Sequence, residues 1–208
     1  MCCFSKEAHV SATSIFARPS KAGQYLVYSM KLKAAEELAM ILPIPTPKAS
    51  NEDAVTFINL EKYPTFFVEM DSGFPVPPPP RGVKSDEVPK ALADPKIKVV
   101  EVGSFVASFV PTVKDFARVD EQFKLPEGVW DKLPQYKDYG FAVFKLKKGE
   151  KKVHPMAFRF PLASRERLFF PTVHIHDGKV HKTAAFDHAL YCQPTGNEDL
   201  MSWEESNR

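Results

Sequence analysis

With 208 residues, of which 44% are hydrophobic and 26% charged, the chain has the makeup of a globular domain large enough to bury its own core. A formal net charge of +2, from 28 basic and 26 acidic residues, is too mild to select a polyanion. No basic stripe is interleaved with aromatics, so nucleic acid is not expected as a partner. No apolar run approaches the roughly 18–20 residues a membrane span requires, so no membrane partner is expected either.

The first thirty residues lack an apolar stretch followed by a small-residue cleavage site, and three cysteines make no disulfide framework. A cytoplasmic, reduced setting is the expectation. The 17 Phe and 19 Pro, with few long helical periodicities, favour β-structure with frequent punctuation.

In chain order, residues 13–18 (TSIFAR) and 24–33 (QYLVYSMKLK) read as strands joined by a turn at Lys21-Ala22-Gly23. Residues 38–45 (LAMILPIP) form a continuous apolar run ended by prolines, as expected of a strand buried on both faces. Ser50 and Asp53 have capping-box spacing. Residues 55–60 fit strand or helix equally. Pro64 suits the first turn of a helix running through Phe66, Phe67 and Met70 and stopped by Gly73.

Residues 75–80 (PVPPPP) can form only polyproline II, and they open a polar connection to about residue 95. Residues 97–110 read as one strand with a bend at Gly103. Thr112 and Asp115 repeat the capping-box spacing ahead of a helix ending at Pro126, and Trp130 anchors a short helical turn. Residues 139–147 and 151–161 read as a hairpin over Lys148-Gly149-Glu150, residues 186–192 as a last strand, and residues 194–208 as a frayed tail.

Residues 25–33 and 139–147 share a pattern of aromatic, aliphatic and Lys-Leu-Lys positions, and each precedes an apolar run ending in proline. This suggests two related halves, 1–74 and 96–193, joined through 75–95. The fold class expected is α+β but mainly β: one antiparallel, sandwich-like domain with a few short helices.

The stretch 169–182, FFPTVHIHDGKVHK, carries the first candidate site. Asp177-Gly178 is a strong two-residue turn signal between two short apolar runs, predicting a β-hairpin. Alternation places His174, His176, Lys179 and His181 on one face and Val173, Ile175 and Val180 on the buried one. Three imidazoles so disposed are the donor set of a zinc or copper site, with His188 and Cys192 able to join from the last strand. Bound zinc with an open position would activate water for hydrolysis, whereas a closed shell would be structural. His154 alternates in step with Met156, Phe158 and Phe160, so it reads as an inward-facing histidine bonded to a backbone carbonyl.

The chain also carries two resemblances. Cys2-Cys3-Phe4 with Leu38-Ala39-Met40-Ile41-Leu42-Pro43-Ile44-Pro45 resembles a bacterial domain of unknown function, marked by an early Cys-Cys and a Phe-Ala-(Trp/Met)-(Val/Ile)-(Leu/Val)-Pro-Val-Pro signature. That likeness covers the first quarter of the chain and implies no activity. The Met-Cys start also resembles choloylglycine-hydrolase-like enzymes. It implies an N-terminal-nucleophile amidohydrolase in which Cys2, freed of Met1, uses its own α-amine as base. Arg18 falls where those enzymes place an arginine beside the nucleophile, but Ser20 and Lys21 stand where an acidic residue is usual.

The third reading is a non-catalytic β-sandwich interaction protein. Its candidate surfaces are the proline-rich segment and aromatics such as Tyr136 and Trp203. The ligand would be an unidentified small molecule or protein.

Overall fold

The computed structural model describes residues 3–74, 100–102, 105–171, 173–181, 183 and 187–193. Its strands are β1 (Cys3–Phe4), β2 (His9–Ser20), β3 (Gly23–Ala34), β4 (Leu38–Ile44), β5 (Thr56–Asn59), β6 (Val100–Val102), β7 (Phe105–Val110), β8 (Gly140–Leu146), β9 (Gly149–Phe160) and β10 (Ala189–Cys192). They form two five-stranded sheets, ordered β1-β4-β8-β7-β6 and β10-β2-β3-β9-β5. One helix, α1 (Phe66–Ser72), and short 3-10 turns between residues 113 and 136 complete the described elements. The fold is mainly β and sandwich-like, as the composition and punctuation suggest.

The largest core lies between the sheets. Leu38, Met40, Leu42 and Ile44 of β4 face Leu26, Tyr28, Met30 and Leu32 of β3 and Met156, Phe158 and Phe160 of β9 across it. Every residue of β4 is buried, as its unbroken apolar sequence requires. The other face, Ala39 and Ile41, is covered by a second cluster in which Phe116, Val119, Leu125, Val129 and Leu133 come from the 3-10 layer. A third, smaller cluster lies outside the second sheet, where α1 sets Phe67 on Val27 and Ala157. The chain thus stacks four layers around three apolar seams.

Strand prolines mark where each ladder loses a neighbour. Pro43 lies beyond the two residues of β4 paired with β1, and Pro19 lies beyond the stretch of β2 paired with β10. Pro155 lies outside the stretch of β9 paired with β5, at a register irregularity against β3. A missing N–H costs little at such positions.

Several expectations change in three dimensions. The segment 139–161 is not a hairpin: β8 pairs with β4 and β7, and β9 pairs with β3 and β5, so the turn at Gly149 carries the chain between sheets. Residues 97–110 are not one strand, because β6 folds back on β7 with Val102 opposite Phe105. Gly103 itself lies outside the described residues.

Ser50 caps no helix; its hydroxyl donates to the Pro47 carbonyl, and Asn51 receives the Asp53 N–H in a side-chain turn. Thr112 donates its hydroxyl to the Asp115 carboxylate ahead of 3-10 rather than α-helical turns.

The two similar segments become β3 and β8, in different sheets, and each pairs with the strand that follows the other. Both sheets draw strands from either side of residues 75–95, so neither half closes a sheet alone. The proline-rich connection lies outside the described residues.

One buried polar side chain fastens the return path. Gln24, with no exposed surface, donates its amide N–H to the Phe169 carbonyl at 2.6 Å and accepts the Phe169 N–H at 2.8 Å. A side chain thereby supplies a two-bond ladder step and anchors the segment leading to the histidines. Gln24→Leu should leave both Phe169 backbone groups without this partner and cost about 2–4 kcal/mol, lowering Tm by roughly 5–12 °C by differential scanning calorimetry. An unchanged Tm would show that the fastening is dispensable.

Candidate functional site

The histidine-bearing stretch does not form the two-stranded hairpin its alternation suggests. The turn exists: Gly178 has φ +74°, and Asp177 Oδ1 accepts the Lys179 N–H at 3.0 Å. No ladder follows it, because residues 173–176 are taken up by the start of the chain. Ile175 bridges Cys3 in parallel, the Phe4 N–H donates to the Ile175 carbonyl at 2.8 Å, and the Ala8 N–H donates to the His176 carbonyl at 3.0 Å. The expected apolar face is present: Val173 and Ile175 are buried in the outer seam of the first sheet, and Val180 packs against it.

On the opposite face, the rings of His174 and His176 lie 3.9 Å apart between centroids, and the edge of His176 meets Phe4 at 5.0 Å. His181 is turned away onto Asp177, its Nε2 3.0 and 3.1 Å from the two carboxylate oxygens. His188, at the entry to β10, is close enough to act electrostatically on His174 and His176. Cys192 is exposed at the far end of β10, opposite Ala17. Among the described residues no group of three or more His, Cys, Asp or Glu side chains is placed to hold a metal ion. His174 and His176 instead spend their ring faces on each other.

Burial holds these rings neutral. Desolvation, reinforced by the neighbouring His174, pushes His176 down to about 3. Desolvation likewise brings His188 to about 4, against a smaller opposing pull from Asp187, and lowers His174.

His154 is half-buried at the register irregularity of β9, where Val153 and Met156 take the core positions. It stacks on Phe105 at 4.2 Å, and its Nδ1 lies 3.3 Å from the Pro155 carbonyl oxygen.

Cys2 lies outside the described residues. Its neighbour Cys3 is buried in the first sheet opposite Ile41, whereas Arg18 stands exposed on β2 of the second sheet, next to buried Ala17. The arginine the resemblance calls for is therefore on the other sheet from Cys3. Tyr136, expected as an exposed aromatic, is 9% exposed because the 3-10 layer folds it down over the first sheet beside Tyr139. Trp203 lies outside the described residues.

A second constellation was not legible in the sequence. Phe66 and Phe67 of α1 pack on Phe16, Tyr63 and Tyr191, and Phe74 meets Tyr191 as well. The Tyr191 hydroxyl donates to the Asp71 carboxylate, tying β10 to α1 across 120 positions of sequence. Burial, then that carboxylate, holds the Tyr191 phenol well above its ordinary range. Beside this joint stand Tyr63 and Val68, exposed to 39% and 58%, while Leu190, 58% exposed, lies next to Tyr191 on β10 but on the other face of the strand, in step with Ile15. They are the exposed large apolar side chains among the described residues. Val68 had a readable signal: it falls off the 66, 67, 70 stripe by which α1 packs.

The arrangement defines a class, a two-sheet β-sandwich with outer layers on both sheets. Comparison with known proteins supports this at the level of fold. No family model matches the chain, and no curated protein matches it significantly. Among solved structures, the crystal structure of baculovirus P35 is similar, with a TM-score of 0.50 and 19% identity over 92% of this chain and 67% of that one. At that identity the likeness concerns the fold alone.

The neutral rings make a pH prediction whose sign is fixed. Above pH about 6.5 neither folded nor unfolded chain protonates them, and their packing is intact. Below that, the unfolded chain takes up protons that the folded chain refuses, so stability falls as pH drops toward about 4 and then 3. In NMR titration the His176 and His188 ring protons should keep their neutral shifts from pH 7 to 5. Tm should fall by roughly 5 °C or more over that interval, the figure discounted for rings that are only partly buried. Titration of both rings near 6.5 in the folded protein would contradict the burial argument.

Proposed function

We propose that this chain is a non-catalytic interaction protein whose contact face is the outer side of the second sheet, where α1 meets β10. The observation that carries this reading is the exposure of Val68 on α1 and of Tyr63 just before the helix, both beside the joint made through Tyr191 and Asp71. A lone exposed aliphatic is ordinary on a protein surface, but Val68 with Tyr63 beside one braced joint favours a face made to be covered. Its flanking carboxylates are already engaged: Glu69 accepts from the Tyr63 and Thr65 hydroxyls, and Asp71 accepts from Tyr191. The partner is therefore a protein that meets this face through apolar contact, with few ion pairs at its centre.

Catalysis has less behind it. His174 and His176 pack on one another, and the arginine that the Cys2 reading calls for stands on a different sheet from Cys3.

The test is a paired capture with the full chain from its source cells. Wild type should retain a protein in near-stoichiometric amount. Val68→Asp should release it at least about tenfold more readily, as expected when a central apolar anchor is replaced by charge. Val68 is at an exposed position, so Tm should stay within about 2 °C. Equal retention by wild type and Val68→Asp, at unchanged Tm, would overturn the assignment of this face.

A further inference from the structure

Strand register sets two transverse rows side by side on the outer face of the second sheet. In one, Phe16, Val27, Ala157 and Ile58 stand abreast on β2, β3, β9 and β5, and α1 packs over them. Two positions further along each strand, Arg18, Tyr25, Arg159 and Thr56 stand abreast in the same way. A side-chain period of two puts this second row on the same face as the first. Arg18 and Thr56 are exposed, and Tyr25 and Arg159 are half-buried.

The charge on this row is not neutralised from within. Among the described residues neither arginine has a carboxylate within ion-pair distance. Arg159 donates instead to the Thr56 hydroxyl at 3.3 Å, a neutral acceptor. The α1 carboxylates on this face are turned to other groups, Glu69 to Tyr63 and Thr65, and Asp71 to Tyr191.

We propose that Arg18, Tyr25, Arg159 and Thr56 form a docking row for a phosphorylated serine or threonine of the protein partner. This deepens the contact-face reading above and rests on it. Neighbouring strands lie about 4.8 Å apart, so the two arginine Cα atoms are about 10 Å apart with Tyr25 midway. Extended side chains from the two sides can meet one anion above Tyr25. One guanidinium fork satisfies a carboxylate, which has two oxygens and a single charge. A phosphate monoester has three terminal oxygens and close to two charges at neutral pH, enough for both forks and a hydroxyl. The row is a shallow floor and not a pocket, since two of its four members are exposed. That depth suits the short stem of phosphoserine or phosphothreonine. The protein-contact face of α1 lies one row away, so a protein is the source of the phosphate.

The measurement is an NMR titration of the full chain with three probe peptides, Gly-Ala-Ser-Ala-Gly, its serine-phosphorylated form and the same peptide with glutamate in place of serine. The phosphopeptide should shift the Arg18, Tyr25, Thr56 and Arg159 signals and bind at least about tenfold more tightly than the unphosphorylated peptide. Arg18→Gln with Arg159→Gln should remove that preference. If the double variant does not fold, Arg18→Gln alone, at an exposed position, should cut the preference at least about threefold. Val68→Asp should leave the preference unchanged, so loss of the apolar contact and loss of the phosphate row are read separately. No binding, equal binding of the phosphorylated and glutamate peptides, or a preference that survives the arginine substitutions overturns the proposal. Binding of phosphoinositide-bearing vesicles without any preference among the peptides also overturns it, in favour of a lipid headgroup.

Discussion

The constraint from which the rest follows is that β4 has no polar face. A strand in which Leu38 through Ile44 are all buried must be covered on both sides, and a single sheet packed on a second sheet covers only one. The inner side is answered by β3 and β9. The outer side, Ala39 and Ile41, is answered by the 3-10 turns between residues 113 and 136 and by Val173 and Ile175. The histidine stretch lies where it does because its alternate residues are needed to finish that cover. The imidazoles occupy the remaining face because alternation leaves them no other.

The same logic operates on the second sheet with less material. Val27 and Ala157 present a narrow apolar strip, and α1 with its two phenylalanines suffices to cover it. A seven-residue helix has little stability of its own. It is held by tertiary contacts, the aromatic packing on Phe16 and Tyr191 and the Tyr191–Asp71 hydrogen bond. Because the helix is so short, the apolar stripe it buries is narrow, and Val68 and Tyr63 are left at the surface.

What the sequence made legible was local. Unbroken hydrophobicity placed β4, Gly73 stopped α1, and Asp177-Gly178 made its turn. Alternation separated Val173 and Ile175 from His174 and His176 correctly. What it could not supply was the identity of pairing partners. Alternation says which residues share a face but not which strand lies alongside, so a turn signal was read as a hairpin in two places where the chain pairs elsewhere. At residues 173–176 the partner is the start of the chain; at Gly149 the chain leaves one sheet for the other. The α1–β10 joint was hidden for the same reason, since Asp71 and Tyr191 have no sequence relation that pattern reading could detect. Tyr136 looked exposed because proline-punctuated segments read as surface loops, whereas here they form the outer cover.

The parallel ladder between β2 and β10 bears on the route by which the molecule is made. Ala189 opposite Ser14 means that the edge of the first long strand waits for nearly the last described residues before it is occupied. A chain emerging from the ribosome would hold the β2–β3 ribbon with one flank bare through most of its synthesis. Such distant closure is slow compared with local pairing. Until it occurs, Pro19 near the end of β2 and the bulge around Ala12 are the features that discourage neighbouring nascent chains from docking there.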